Sequence, residues 1–268
     1  MPVTDPEIAL VISITGAFES AGDPYVGVAG DYDGMGISCG VLQWNIGSNS
    51  LQPLVLAVGE AMVRRTMPLH GARMWNACSV APERGCEIVR GWQAGAVLPG
   101  DVVGELRALM GSAEMREAQR GRIRVTAERA DQVATGWARD RGQPARTTQE
   151  LVWFFDVLTQ NGTMRGIGYA DVEVFLALSG EAGAASIICD WLDAAATDWW
   201  GREDCLKNAA LWRDAAPGAS FDLLVLSYLR ARAATHPRAP GVVMNRKGSI
   251  AMWRGYVNGA LFDFSDQF

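Results

Sequence analysis

The chain has 268 residues, is 49% hydrophobic and 20% charged, and carries a formal net charge of -6 at pH 7. Its length and apolar content are sufficient to bury a full core without disulfide support. The acidic balance argues against a nucleic-acid partner, since such proteins present a basic face to the phosphates. No apolar run is long enough to span a membrane, so we expect no membrane insertion.

The first element is predicted to be a helix. Thr4-Asp5-Pro6-Glu7 has the spacing of a capping box with an early proline, and apolar residues then recur at helical intervals. We expect this helix to end near Glu19 and Ser20, where the helix dipole and apolar neighbours would raise the pKa of the Glu19 carboxyl. The start, Met1 to Asp5, is polar and resembles no secretory signal, so we expect synthesis in the cytoplasm without a signal peptide.

The segment from Pro24 to Asn45 is predicted to form two or three short strands, because glycines and β-branched residues are dense in it. Its turn, Gly30 to Gly36, carries Asp31 and Asp33. Together with Glu19 these residues suggest a glycosidase, since cleavage of a glycosidic bond needs one protonated carboxyl group and one ionised carboxylate. Asp33-Gly34 is also a common turn dipeptide, so solvated carboxylates that only shape a hairpin are the alternative.

Two segments carry a resemblance to known enzymes. The first, Asp33-Gly34-Met35-Gly36-Ile37-Ser38-Cys39-Gly40-Val41-Leu42-Gln43-Trp44, is similar to the Asp-Gly-x-Gly-aromatic-Thr-x-Gly pattern of chitosanases. The second, Trp153-Phe154-Phe155-Asp156-Val157-Leu158-Thr159-Gln160-Asn161-Gly162, resembles the buried helix below the cleft of chitosanases and lysozymes. A Glu closing the first helix, followed by a hairpin that ends in Gly40-Val41-Leu42-Gln43, is also similar to goose-type lysozymes and lytic transglycosylases.

The resemblance implies a mainly α, lysozyme-like α+β fold, with a small β-hairpin or sheet lining the cleft of one bilobed domain over residues 1–268. It implies that Glu19 is the general acid and Asp33 the general base, with Ser38 holding the attacking water. Asp31 is the second candidate for the base. The interval from Glu19 to Asp33 is shorter than in chitosanases, and Gln43-Trp44-Asn45 departs from them toward the Gly-x-x-Gln motif of peptidoglycan-cleaving enzymes.

Several residues besides the carboxylates are predicted to contact a polysaccharide. Trp44 lies beside the hairpin and offers an apolar ring for a sugar face, and Gln43 and Asn45 flank it. Gln160 and Asn161 end the apolar helix, where they contact substrate or cap the helix by bonding to backbone.

Most of the remaining chain is predicted to be helical. A helix is expected at Leu51 to Val63, and short helices or irregular structure at Gly71 to Asp101. A long amphipathic helix at about 112–139 is expected to bridge the lobes, and its predicted inward face comprises Met115, Ala118, Val125, Ala130, Val133 and Trp137. Thr147-x-x-Glu150 is a capping box that opens the central buried helix at about 148–161. Further helices are predicted at 170–179, 182–196, 204–214 and 220–235, and Asn245-Arg246-Lys247-Gly248-Ser249 is expected to be a solvated loop.

The five cysteines contain no CxxC pair and only two histidines accompany them, so we expect no zinc site, no other metal and no cofactor. Disulfides Cys78–Cys86 and Cys189–Cys205 are expected if the protein works outside the cytoplasm. In a reducing compartment all five cysteines, including Cys39, are expected to be small core residues.

We therefore expect a glycoside hydrolase that cleaves β-1,4 linkages of bacterial peptidoglycan, with chitosan as the alternative polymer. It would act in the periplasm or at the cell wall after delivery, with a secretion machine or an immunity protein as candidate partners. Two alternatives belong to other classes: a cysteine peptidase or amidase that uses Cys39 with His70 or His236, and a catalytically silent wall-binding module.

Overall fold

The structure, a computed structural model, describes residues 2–18, 22–196, 201–214, 219–234 and 239–265. These residues form thirteen α-helices and two small antiparallel sheets, so the chain is mainly helical as predicted. The chain divides into two compact units, Ile8–Val125 (the N-terminal unit) and Met1–Glu7 with Thr126–Phe268 (the C-terminal unit). The expectation of one domain over residues 1–268 stays a prediction.

Helix α1, Asp5–Ala17, begins as the capping box predicts. The Thr4 amide donates to Glu7 Oε2 at 2.9 Å, and the Glu7 amide donates to Thr4 Oγ1 at 3.4 Å. The helix ends at Ala17 and is followed by the buried Phe18, two residues short of the predicted end.

The N-terminal unit contains most of the short elements. Its three-stranded sheet has the order β1, β2, β3, with β1 at Val28–Ala29, β2 at Ser38–Cys39 and β3 at Trp44–Asn45. A 3₁₀ turn at Pro24–Val26 precedes the sheet. The helices that follow are α2 Gln52–Val58, α3 Glu60–Thr66, α4 Gly71–Cys78, α5 Pro82–Arg90, α6 Gly100–Gly111 and the start of α7, Ala113–Asp140.

One helix prediction in this unit needs correction. The single helix expected at 51–63 is two helices, because Gly59 between them has φ 83° and ψ 153°, a conformation that interrupts a helix and favours glycine. The segment 71–101, expected to be irregular or short helical structure, holds the short helices α4 and α5.

The buried face of α7 also differs from the predicted one. Val125 and Val133 are exposed by 53% and 36%, so they do not belong to the inward face. The buried residues of α7 are Met115, Gln119, Ile123, Ala127, Ala130, Ala134, Trp137 and Ala138. Four of these eight buried residues are alanines, whereas the predicted face relied on the larger Val125 and Val133.

The C-terminal unit is built from helices and one hairpin. After α7 it contains α8 Thr148–Asn161, α9 Tyr169–Ser179, α10 Glu181–Ala195, α11 Arg202–Trp212, α12 Ala219–Arg232, α13 Ala239–Ala251, β4 Arg254–Val257 and β5 Ala260–Asp263. Strands β4 and β5 pair antiparallel with Tyr256 opposite Leu261. Helix α13 packs against α12, β4 and α8.

The prediction of a solvated loop at 245–249 is wrong. These residues lie inside α13, and all five are buried. Each polar residue of the segment finds a partner within the unit: for example, Asn208 Nδ2 donates to Asn245 Oδ1 at 3.0 Å, and Ser249 Oγ donates to the Asn245 carbonyl at 2.6 Å. The polar composition of the segment therefore reflects buried contacts.

All five cysteines are buried free thiols. The disulfides expected for an oxidising compartment, Cys78–Cys86 and Cys189–Cys205, are not formed, and the alternative of core thiols describes the structure.

No single helix in the described ranges is long and apolar enough to cross a membrane. Helix α9 and the part of α10 from Gly183 to Ala195 reach that length and composition together, but they form a pair bent by 100°.

Removing the α8 cap should destabilise the protein. Thr147 Oγ1 accepts the Glu150 amide at 3.2 Å, and the Thr147 amide donates to Glu150 Oε2 at 2.6 Å. Loss of a side-chain N-cap costs about 1 kcal/mol, so we expect Thr147→Ala to lower the free energy of unfolding in urea by that amount. Thr148→Ala is the matched control, because the Thr148 hydroxyl has no hydrogen bond among the contacts of the described residues. Equal effects of the two changes would contradict the cap.

Candidate functional site

The β-sheet of the N-terminal unit and the turns that connect its strands carry most of the predicted site residues. Ser38, the first residue of β2, lies between Ala29 of β1 and Asn45 of β3 in the register of the sheet. The predicted water-positioning residue and one predicted substrate contact are thus neighbours across β2 and β3. Ser38 is a buried polar residue, 8% exposed.

The turn before β2 is held by helix α5. Asp31 accepts hydrogen bonds from the Gly36 amide at 2.7 Å and from Arg90 Nε at 2.5 Å, and Arg90 Nη2 donates to the Gly34 carbonyl at 2.7 Å. Gln93 reinforces the turn, because its Oε1 accepts the Asp31 amide at 2.8 Å and its Nε2 donates to the Gly36 carbonyl at 2.9 Å. The turn is therefore braced at both ends.

Asp31 is a structural carboxylate in this arrangement. Its side chain is 10% exposed. Burial alone would raise its pKa, but the hydrogen bonds from Arg90 and the Gly36 amide and the charge of Arg90 outweigh burial and lower the pKa. An ionised carboxylate that is already fully engaged is poorly placed to take a proton from water.

Asp33 has the opposite surroundings. It is exposed, and its Oδ1 accepts the Met35 amide at 3.0 Å in a local turn. No ion pair links it to another described residue. Of the two predicted carboxylates of the turn, Asp33 is the one whose carboxylate is open to water.

Gln43 and Asn45 take structural roles at the end of the hairpin. Gln43 adopts a positive φ of 50°, and its Nε2 donates to the Gly40 carbonyl at 3.0 Å. Asn45 Oδ1 accepts the Ser48 amide at 2.8 Å, and the Asn45 amide donates to Ser50 Oγ at 2.8 Å. The Gln43 bond lies in the turn between β2 and β3, and the Asn45 bonds fix the turn between β3 and α2. Substrate contact by the two residues stays a prediction.

Trp44 does not offer a sugar platform in this structure. Its side chain is 7% exposed and belongs to the core, so no open ring face remains for stacking. The prediction that Trp44 stacks on substrate therefore needs correction. The aromatic signal beside the hairpin reflects packing beneath the sheet.

A cysteine nucleophile at the hairpin is also unsupported. Cys39 is completely buried, and burial raises the pKa of its thiol to about 12, so the reactive thiolate is disfavoured at neutral pH. His70 Nε2 lies 3.0 Å from Asp101 Oδ2. His236, the other candidate base, lies outside the described residues.

A surface cavity of about 300 Å³ adjoins the braced turn. It is lined by Gly34 and Met35 of the turn, Gly47 after β3, and Glu83, Cys86, Glu87 and Arg90 of α5. Sequence reasoning missed the α5 wall, because it did not place this segment beside the hairpin. Among the residues that the structure describes, no group of three or more His, Cys, Asp and Glu side chains is arranged to hold a metal ion.

The predicted acid, Glu19, lies outside the described residues, as do Ser20 and Ala21. Its sequence position is two residues after the end of α1, and the buried Phe18 anchors the chain just before it. The prediction of a raised Glu19 pKa stays a prediction.

Gln160 and Asn161 belong to the C-terminal unit, at the end of α8. One turn earlier, Asp156 is fully buried and accepts hydrogen bonds from Arg246 Nε at 2.9 Å, from Arg246 Nη2 at 2.8 Å, and from Lys247 Nζ. Lys247 Nζ also donates to Gln160 Oε1 at 2.9 Å, so the Gln160 amide braces this cluster. Asn161 Oδ1 is buried without a hydrogen-bond partner among the described residues.

The charges of this cluster explain its ionisation. Burial would raise the pKa of Asp156, but the charges of Arg246 and Lys247 and their hydrogen bonds lower it. Burial lowers the pKa of Lys247 to about 8, and the nearby Arg246 and Arg230 act in the same direction, whereas Asp156 opposes them. The carboxylate is thus ionised because two cations share it.

Comparisons of the chain with protein-family models, with curated proteins and with solved structures found no match.

Replacing Asp31 should destabilise the protein in a pH-dependent manner. Hydrogen bonds to a charged group contribute about 1–3 kcal/mol, so we expect Asp31→Asn to lower the free energy of unfolding by that order at pH 7. Because the folded-state pKa of Asp31 is lowered, its stabilisation is complete above the usual carboxyl pKa and is lost as pH falls through the folded value. The difference in free energy of unfolding between wild type and Asp31→Asn, measured by urea titration, should therefore stay constant from neutral pH down to the usual carboxyl pKa and narrow below it.

Asp33→Asn is the matched control for this experiment. It makes the same chemical change two residues away, at a carboxylate that accepts one local hydrogen bond. We expect a small effect that varies little with pH. A larger loss of stability for Asp33→Asn than for Asp31→Asn would contradict the braced turn.

Proposed function

We propose that the protein is a glycoside hydrolase with a lysozyme-like fold that cleaves β-1,4 linkages of bacterial peptidoglycan. The observation that carries the proposal is the exposed carboxylate of Asp33 on a turn held rigid by Asp31 and Arg90. A general base needs a fixed position and access to water, and this turn offers both. The mainly helical chain with a small antiparallel sheet agrees with the proposed fold at the coarse level.

In the proposed mechanism Glu19 donates its proton to the glycosidic oxygen as the bond to the anomeric carbon breaks. Asp33 accepts a proton from a water molecule that attacks the anomeric carbon from the opposite face, with Ser38 orienting that water. The water proton ends on Asp33, and the leaving sugar keeps the proton of Glu19. Inversion of configuration follows if the two carboxyl groups lie roughly 6.5–9.5 Å apart.

We assign the base to Asp33 in preference to Asp31. The Asp31 carboxylate is occupied by Arg90 and the Gly36 amide, whereas the Asp33 carboxylate is exposed. If Asp33 points away from the scissile bond, Glu19 acting alone would favour transglycosylation, which forms a 1,6-anhydro product.

A peptidoglycan substrate also bears on where the protein acts. The polymer lies outside the cytoplasmic membrane, so the proposal includes delivery to the periplasm or the cell wall. A secretion machine as carrier and an immunity protein in the producing cell are the partners that such delivery implies.

The two assigned carboxyl groups should be indispensable for turnover. Acid and base catalysis each contribute about 10²–10⁴-fold, so we expect Glu19→Gln and Asp33→Asn each to reduce the release of soluble muropeptides from purified peptidoglycan by at least about 100-fold. Mass spectrometry of the products measures the loss and distinguishes reducing ends from 1,6-anhydro ends. Circular dichroism and urea titration confirm that each variant is folded.

Asp31→Asn is the internal control for the assignment of the base. Adjusted for its lower stability, it should retain much more activity than Asp33→Asn. The reverse order would overturn the assignment of Asp33. Full activity of Glu19→Gln would overturn the assignment of Glu19 as the general acid, and wild-type protein without products would favour the silent wall-binding module.

Chitosan is the second candidate substrate, and the cavity beside the turn favours it. Glu83 lines this cavity, is exposed, and forms no ion pair with any residue in the described ranges. Glu87 also lines it, but its Oε2 lies 2.5 Å from Arg84 Nη1. An unpaired carboxylate beside the proposed base suits a polymer of cationic glucosamine units.

We expect Glu83→Gln to raise the KM for chitosan several-fold and to leave kcat nearly unchanged, because the lost attraction acts equally on ground and transition states. Glu87→Gln serves as the control, since Arg84 already neutralises that carboxylate. Product assays with chitosan of defined length provide both constants. Identical KM values for wild type and Glu83→Gln, or a wild type inactive on chitosan, would dismiss this candidate.

A further inference from the structure

The most unusual charged side chain outside the proposed site is Arg230 on α12. It is only 3% exposed, and its Nε donates to the Thr163 carbonyl at 3.0 Å. Its Nη1 is buried and has no hydrogen-bond partner among the described residues. A buried guanidinium that lacks a partner is costly, because its hydration is lost without replacement.

The charges around Arg230 do not compensate for it. No ion pair joins Arg230 to a carboxylate within the part of the chain that the structure describes. Burial lowers the pKa of Arg230, and the positive charge of Arg165 lowers it further. The buried carboxylate of Asp156 in the same unit is already shared by Arg246 and Lys247.

Arg165 lies on the loop that connects α8 with α9. This loop contains Thr163, the partner of Arg230, and Arg165 adopts a positive φ of 54° that side-chain-bearing residues rarely take. The Arg165 amide donates to Thr163 Oγ1 at 3.4 Å. Thr163 and Arg165 are exposed, so the residue that accepts from Arg230 Nε lies at the surface, although Arg230 Nη1 itself has no contact with solvent.

Two guanidinium groups that repel each other, neither of them in an ion pair with a carboxylate among the described residues, form an arrangement that a bound oxyanion would stabilise. Guanidinium groups bind phosphate and sulfate through charge-assisted hydrogen bonds with planar geometry. An anion in contact with Arg230 Nη1 would supply its missing acceptor and offset the repulsion from Arg165.

We propose that Arg230 and Arg165 form a binding site for a tetrahedral oxyanion of the phosphate class beside the 162–168 loop. Free phosphate and the phosphate group of a larger molecule share this chemistry. The site lies wholly within the C-terminal unit and does not depend on the proposed hydrolase activity.

The first test is thermal unfolding of the full chain in a phosphate-free buffer with added sodium phosphate, or with sodium chloride at equal ionic strength. Phosphate should raise the Tm of the wild type in a saturable manner beyond the effect of chloride, because a ligand that binds the folded state stabilises it. Sodium sulfate should act similarly. Glycerol 1-phosphate distinguishes free phosphate from the phosphate group of a larger molecule. If it raises the Tm more than inorganic phosphate does at equal concentration, the site prefers a phosphate monoester.

Variants locate the effect. Arg230→Met should abolish the phosphate-dependent shift, and in phosphate-free buffer it should be at least as stable as the wild type because it removes an uncompensated buried charge. Arg232→Met, an exposed arginine on the same helix, should respond as the wild type does. Arg165→Gln changes an exposed residue and should weaken phosphate binding about tenfold, a loss typical of one charge-assisted contact, so it tests the site even if Arg230→Met does not fold.

A crystal structure grown with sodium tungstate gives a direct readout, since the anomalous signal of tungsten marks a bound tetrahedral oxyanion. We expect a peak within hydrogen-bond distance of Arg230 Nη1. Three results would overturn the proposal. They are a crystal structure with an ordered water in place of the anion, no phosphate-specific rise in the wild-type Tm, and an equal phosphate-dependent rise in the Tm of wild type and Arg165→Gln.

Discussion

The C-terminal unit depends on a single buried carboxylate. Asp156 on α8 receives Arg246 and Lys247 of α13, and all three side chains are almost completely removed from water. Such a cluster adds little net stability compared with apolar packing, because desolvation of the charges consumes most of their attraction. The cluster instead disfavours other positions of α13. If α13 slid or rotated by one residue, Arg246 and Lys247 would be buried without the carboxylate that accepts their hydrogen bonds. The cluster therefore defines how α13 lies against α8, and through α13 it orders α12 and the β4–β5 hairpin, which pack on the same helix.

The hairpin of the N-terminal unit is also held by an ion pair between a carboxylate and an arginine, in this case near the surface. Asp31 and Asp33 are two residues apart and chemically identical, yet α5 engages the first and leaves the second exposed. Since Arg90 and Gln93 bind both ends of the turn, the exposed carboxylate occupies a fixed place without being neutralised. One carboxylate of the segment therefore holds the turn, and the other remains exposed to water.

Local patterns in the sequence were sufficient for the elements that local physics decides. The capping boxes at Thr4 and Thr147, the apolar helix α8 and the strands of the hairpin all follow from residues within a few positions of one another. The failures involve distant partners. The sequence of segment 245–249 is typical of a solvated loop, because it does not show that Asp156, about 90 positions away, binds Arg246 and Lys247 in the folded protein. The site shows the same limit: the sequence located the acidic turn, but it did not reveal that Arg90 would occupy Asp31, nor that Trp44 would be buried.

The five buried cysteines have a consequence for how the chain tolerates a change of compartment. Thiol oxidation and disulfide exchange start from an accessible thiolate, and burial raises the thiol pKa of Cys39 to about 12 and those of Cys189 and Cys205 to about 11. In the folded protein, reaction of Cys39, Cys189 and Cys205 with oxidants is therefore disfavoured, whereas Cys86 lines the surface cavity beside the turn. An unfolded chain would expose five thiols, an odd number that cannot pair completely within one molecule. Burial thus protects Cys39, Cys189 and Cys205 only while the protein is folded, and rapid folding would limit oxidative cross-linking in an oxidising compartment.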